Sequence, residues 1–113
     1  MQLTATESDT FDVLLVEDEF LIALDIEDAI TSAGGTVVGP YGDLDVALNI
    51  AQSRGAEIDA AVLDVNVRGR PIFPVADALE VAGVPFLFST GYTDVSIPER
   101  FAHVRCLNKP VDV

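Results

Sequence analysis

Short apolar runs alternate with longer amphipathic stretches along the chain. Phe11-Asp12-Val13-Leu14-Leu15-Val16 predicts a first strand, and its nearly unbroken apolar character suits burial on both faces of a parallel sheet. Glu19 to Ala33 predicts a helix. Ile22, Ile26, Ala29, Ile30 and Ala33 share one face, while Asp25, Glu27, Asp28 and Ser32 lie elsewhere. Gly34-Gly35 stops it. Thr36 to Gly39 predicts a short second strand. Asp43 caps a second helix running to about Ser53, with Leu44, Ala47, Leu48 and Ala51 inward. Ile58 to Val65 predicts the third strand, Pro74 to Ala82 a third helix closed by Gly83, and Val84 to Ser89 the fourth strand. Pro98 to His103 is a weak, short fourth helix, and Val104 to Asn108 a fifth strand.

Strands alternating with helices imply an α/β fold: a doubly wound, five-stranded parallel sheet with helices on both faces and right-handed crossovers. In such sheets the functional groups collect beyond the carboxyl ends of the strands. Those ends carry Glu17-Asp18-Glu19, then Asp64 with Asn66, then Ser89-Thr90-Gly91, then Asn108-Lys109-Pro110. Clustered carboxylates repel one another unless a cation joins them, and hard oxygen ligands suit Mg²⁺. A carboxylate held against such an ion can attack phosphorus, and a lysine and a hydroxyl can share the charge of the transferring group. Asp64, on the middle strand, is the best-placed nucleophile. Lys109 is the chain's only lysine.

Composition narrows the picture. The 113 residues are enough for one domain, and half are hydrophobic. Residues 1–10 are expected to be a flexible segment and 11–113 the domain. A net charge of −13 would repel a phosphate backbone, so no nucleic-acid partner is expected. No apolar run is long enough for a membrane span, and the polar start is unlike a signal peptide. With the single Cys106 unable to form an internal disulfide, the cytoplasm is the expected compartment.

Four stretches together resemble the receiver domains of bacterial response regulators: VLLVEDE, AAVLDVNVRG, VPFLFSTGY and LNKP, in family order over residues 12 to 110. The third resembles the motif of a subgroup with PFxFATGY, with Ser89 where that motif has alanine. The resemblance implies a flavodoxin-like strand order 2-1-3-4-5. It also implies a phosphorelay role, with Asp64 taking a phosphoryl group from the phosphohistidine of a histidine kinase or histidine phosphotransfer protein. The chain would then dephosphorylate itself, acting on itself rather than as a conventional enzyme, with output by protein–protein contact. By the same resemblance Mg²⁺ is the cofactor, bound by Asp18, through water by Glu17, by Asp64 and by the backbone carbonyl of Asn66. Thr90 and Lys109 would bond the phosphoryl group, the Asn66 side chain and Tyr92 would modulate its loss, and Pro110 would follow a cis bond.

Glu19 reads as the first turn of a helix rather than a ligand. Tyr41 and His103 read as structural, and Cys106 as a small buried hydrophobe. Two departures stand out. Cys106 occupies the place of an aromatic that many receivers move on activation, so the Thr90–His103 stretch is expected to reorganise instead. The fifth helix is apparently absent, which would leave part of one sheet face open and favour a homodimer. The rivals are a receiver-like module that binds without phosphorylation, a phosphohydrolase, which would commonly need an acid where Asn66 stands, and a flavin-binding domain, for which no phosphate-cradling loop follows the first strand.

Overall fold

The apolar runs pair into one parallel sheet, in the order that the resemblance implies. The computed structural model describes residues 10–91 and 96–109. Strands β1 (Asp12–Val16), β2 (Thr36–Tyr41), β3 (Ala60–Asp64), β6 (Phe86–Thr90) and β7 (Cys106–Asn108) lie in the order β2-β1-β3-β6-β7. All their pairings are parallel. A two-residue hairpin, β4 (Asn66–Val67) with β5 (Arg70–Pro71), stands apart from this sheet. Setting it aside leaves the expected order 2-1-3-4-5. The helices are α1 (Phe20–Ser32), α2 (Leu44–Arg54) and α3 (Phe73–Val81).

Side chains alternate across each strand, so the sheet has two distinct faces. Leu14, Val16, Leu63 and Phe88 face α2 and α3, where Ala47, Ala51, Val75 and Leu79 close the larger core. Leu15 faces α1 and packs with Ala23 and Ile26. The helix ends follow their local chemistry. Asp43 Oδ1 accepts from the amides of Asp45 (2.9 Å) and Val46 (3.1 Å), the cap expected from sequence. Gly34, at φ +94°, ends α1 in a conformation that side chains disfavour. Pro74 lies in the first turn of α3, where no amide hydrogen is needed.

Two expectations need correction. The fourth helix is a single 3₁₀ turn, Glu99–Phe101. Phe101 is one anchor rather than an apolar stripe: it is sealed from solvent and lies 5.8 Å from the rings of Phe73 and Phe88. Arg100 ties the same turn to Asp77 of α3 through two contacts of 3.0 and 3.1 Å. Cys106 is exposed, because β7 is the edge strand and no helix among the described residues covers its side of the sheet there. The loop after β3 is an ordered hairpin. Its two turn residues, Arg68 (φ 52°) and Gly69 (φ 82°), both adopt the positive φ that tight hairpins require.

Among the described residues no helix follows β7, and α1 alone packs on its face of the sheet. An apolar cavity of about 350 Å³ remains there, lined in part by Phe11, Val13, Ile30, Val62 and Leu107. No helix of the described residues is long and apolar enough to cross a membrane.

Candidate functional site

Parallel strands deliver their carboxyl ends to one edge, and that edge gathers the acids. Glu17 directly follows β1, and Asp64 ends the adjacent β3. Both are buried, at 3 % and 1 % exposure. Lys109, just beyond β7, reaches across to them: its Nζ lies 3.0 Å from Asp64 Oδ2, 3.1 Å from Glu17 Oε2 and 3.3 Å from Glu19 Oε1. A charge removed from water needs such partners, or burial would cost several kcal/mol (~5) per ion. Burial is the main force pushing the Asp64 carboxyl up to about 8. The Lys109 ammonium pulls it back, and the Glu17 charge adds to the rise. For Lys109, burial alone would lower the pKa, but Asp64 and then Glu17 outweigh that and raise it.

Backbone amides also hold these carboxylates. The Asn66 amide donates to Asp64 Oδ1 at 3.1 Å, and the Glu19 amide to Glu17 Oε2 at 3.1 Å. Asp18 is held from the other side, its Oδ2 accepting from the Arg68 amide at 2.8 Å. That amide is presented by the β4–β5 hairpin, which Arg70 anchors to Asp45 of α2 through two 3.2 Å contacts. Thr90 is half-buried on β6. Its carbonyl accepts from the Lys109 amide at 2.7 Å, and its hydroxyl lies 3.4 Å from Asn108 Oδ1.

Carboxylate oxygens of Glu17, Asp18 and Glu19 all lie within 4.8 Å of one another. Glu17 Oε1 is buried and accepts no hydrogen bond from the protein. A hard divalent cation would satisfy that atom and offset the mutual repulsion, so this donor set fits such an ion.

The structure thus brings Glu17, Asp64 and Lys109 into direct contact, with Asp18, Asn66 and Thr90 around them. Tyr92 and Pro110 lie outside the described residues. Sequence reasoning missed three groups. Glu19 precedes α1 instead of forming its first turn, and contacts Lys109. The Arg68 amide needs the hairpin, for which Gly69 was the signal. Ser89 is fully buried with an unpartnered hydroxyl, and its place beside Asp64 follows only from strand register. His103 is exposed, with Nε2 3.8 Å from Glu80.

No family model and no curated protein matches the chain. Solved structures do. The solution structure of SdrG from Sphingomonas melonis Fr1 is 41% identical with a TM-score of 0.81, over 91% of this chain and 86% of that one. The BeF3-activated conformation of SdrG from Pseudomonas melonis Fr1 is 42% identical with a TM-score of 0.71, over 90% and 86%. A response regulator receiver protein from Sinorhizobium medicae WSM419 is 25% identical with a TM-score of 0.75, over 93% and 86%.

Proposed function

Because the chain belongs to the response regulator receiver family, we propose that it accepts a phosphoryl group on Asp64 and later loses it to water. The donor is the phosphohistidine of a histidine kinase or histidine phosphotransfer protein. The observation that carries this reading is the Asp64 carboxylate itself: buried at a strand end, oriented by the Asn66 amide and 3.0 Å from the Lys109 ammonium.

In uptake, an Asp64 oxygen forms a bond to phosphorus as the bond from phosphorus to the histidine nitrogen breaks. Lys109 can follow the charge from the carboxylate onto a phosphoryl oxygen, since its three carboxylate neighbours already hold it at this edge. Thr90 can turn its hydroxyl from Asn108 toward the same group. Mg²⁺ would be held by Glu17, Asp18, Asp64 and the Asn66 carbonyl, and when bound it supplies positive charge for the phosphoryl oxygens. Glu19 is the further acid in that cluster. In loss, water attacks phosphorus and Asp64 leaves as carboxylate; the Asn66 side chain and Tyr92 modulate that step. The protein catalyses reactions on itself, and its output is contact with another protein in the cytoplasm. The VPFLFSTGY stretch supports membership of the PFxFATGY-like subgroup. The apolar cavity beside α1 supports self-association, which a strictly monomeric mass by sedimentation well above micromolar concentration would rule out.

Incubation with acetyl phosphate and Mg²⁺, followed by intact-mass measurement, should give one added phosphoryl group that Asp64→Asn lacks. No adduct, even with a cognate kinase, would leave the phosphorylation-independent binding module as the better reading.

A further inference from the structure

Ser89 is sealed from solvent, and its hydroxyl has no hydrogen-bond partner in the protein. It stands on β6 in register with Asp64 of β3. One residue earlier on each strand, Leu63 and Phe88 both face the α2–α3 core. Asp64 and Ser89 therefore point together toward the opposite face. Neighbouring strands lie about 4.8 Å apart, so rotation about χ1 can aim the hydroxyl toward the Asp64 carboxylate. Asp64 Oδ2 meets Lys109 in an ion pair but accepts no hydrogen bond of good direction. A serine side chain has three staggered positions about χ1, and in its present one the hydroxyl meets no acceptor. Packing alone does not call for an oxygen here, since alanine stands at this place in the motif that the chain resembles.

We propose that Ser89 is a hydrogen-bond donor to the Asp64 carboxylate as the phosphoryl group departs, and so sets how long the modified state lasts. This rests on the reading of Asp64 as the acceptor. Water attacks phosphorus and the bond from phosphorus to the Asp64 oxygen breaks. The electron pair stays on that oxygen, and the products are the carboxylate and dihydrogen phosphate. Negative charge grows on the carboxylate during this step. Lys109 is then shared with the phosphoryl oxygens and Glu17, and the Asn66 amide serves one carboxylate oxygen. The Ser89 hydroxyl, turned about χ1, donates to the carboxylate most strongly where its charge is greatest, which speeds departure. The same hydrogen bond makes the free carboxylate a weaker nucleophile, so it does nothing to hasten uptake.

The test uses the full chain with acetyl phosphate and Mg²⁺. The phosphodonor is removed by desalting, and the adduct is followed by intact mass in wild type, Ser89→Ala and Ser89→Cys. The alanine variant removes the donor; the cysteine variant keeps the volume with a weak one. Loss should slow about three- to tenfold in both, the worth of one ordinary net hydrogen bond. Uptake should not slow, and urea midpoints should not fall below wild type, since the buried hydroxyl has no partner to lose. An unchanged rate of loss in Ser89→Ala overturns the proposal. So does a normal rate in Ser89→Cys, which would make volume the cause. Uptake and loss slowing together would also overturn it, because that is the mark of a displaced Asp64. A wild-type chain that takes no adduct overturns the Asp64 reading as well, and that failure is separate because it does not depend on position 89.

Discussion

Under α2 and α3, the side chains of Leu14, Leu63, Phe88 and Phe101 are sealed from solvent within one large apolar cluster. Under α1, the buried cluster among the described residues is Leu15, Ala23 and Ile26, beside a cavity of about 350 Å³. The reacting groups sit over the thinner side. Val16, Leu63 and Phe88 fix the strands from the dense face. The next residue on each strand, Glu17, Asp64 and Ser89, then emerges on the other face with a buried polar atom still lacking a hydrogen bond. Stability and chemistry are thus divided between two faces of the same three strands. Unsatisfied buried atoms are costly to a fold, and here they are grouped where a cation and a phosphoryl group would satisfy them.

That division can be tested by matched truncations. Phe88→Ala should cost about 3–5 kcal/mol of stability by urea unfolding, because its ring contacts with Phe73 and Phe101 have no substitute. Ile26→Ala on the thin face should cost nearer about 2 kcal/mol, since its site already opens on a cavity. Equal losses would mean that the two faces are consolidated alike. Asp43→Ala removes the cap of α2 and should cost about 1 kcal/mol, with the acetyl phosphate adduct unaffected, because the hydrogen bonds of the cap stay within the first turn of α2.

A pH effect is also expected in the metal-free protein. Burial first, and the Glu17 charge after it, hold the Asp64 carboxyl at about 8 against an ordinary 3.8, while Lys109 opposes the rise. The folded chain therefore keeps a proton that the unfolded chain releases. This favours folding below about pH 4, and the benefit is lost as pH rises toward 8. Urea midpoints in chelator should accordingly be lower at pH 8 than at pH 5, and flatter with pH in Asp64→Asn. A metal-free wild type whose midpoint rises over that window would contradict the assigned environment of Asp64.

Much of this molecule is written in local pattern. Apolar runs and helical spacing give the order of strands and helices, and Gly34 and Asp43 mark ends where the structure has them. Placing Asp64, Glu17 and Lys109 at one edge needed just the rule that parallel strands end together. Those features are legible because periodicity and capping depend on residues a few positions apart. The rest depends on partners far along the chain. Lys109 meets Glu17 across 92 positions, and Arg68 meets Asp18 across 50. Strand register sets Ser89 beside Asp64, and the edge position of β7 exposes Cys106, whose composition alone suggested burial. A buried Phe101 anchors a single turn where a helix was expected, its ring packed on Phe73 and Phe88 far earlier in the chain. Chain order thus determined which groups reach the edge. Cross-strand register and packing determined which of their atoms are paired, and which remain unsatisfied for chemistry.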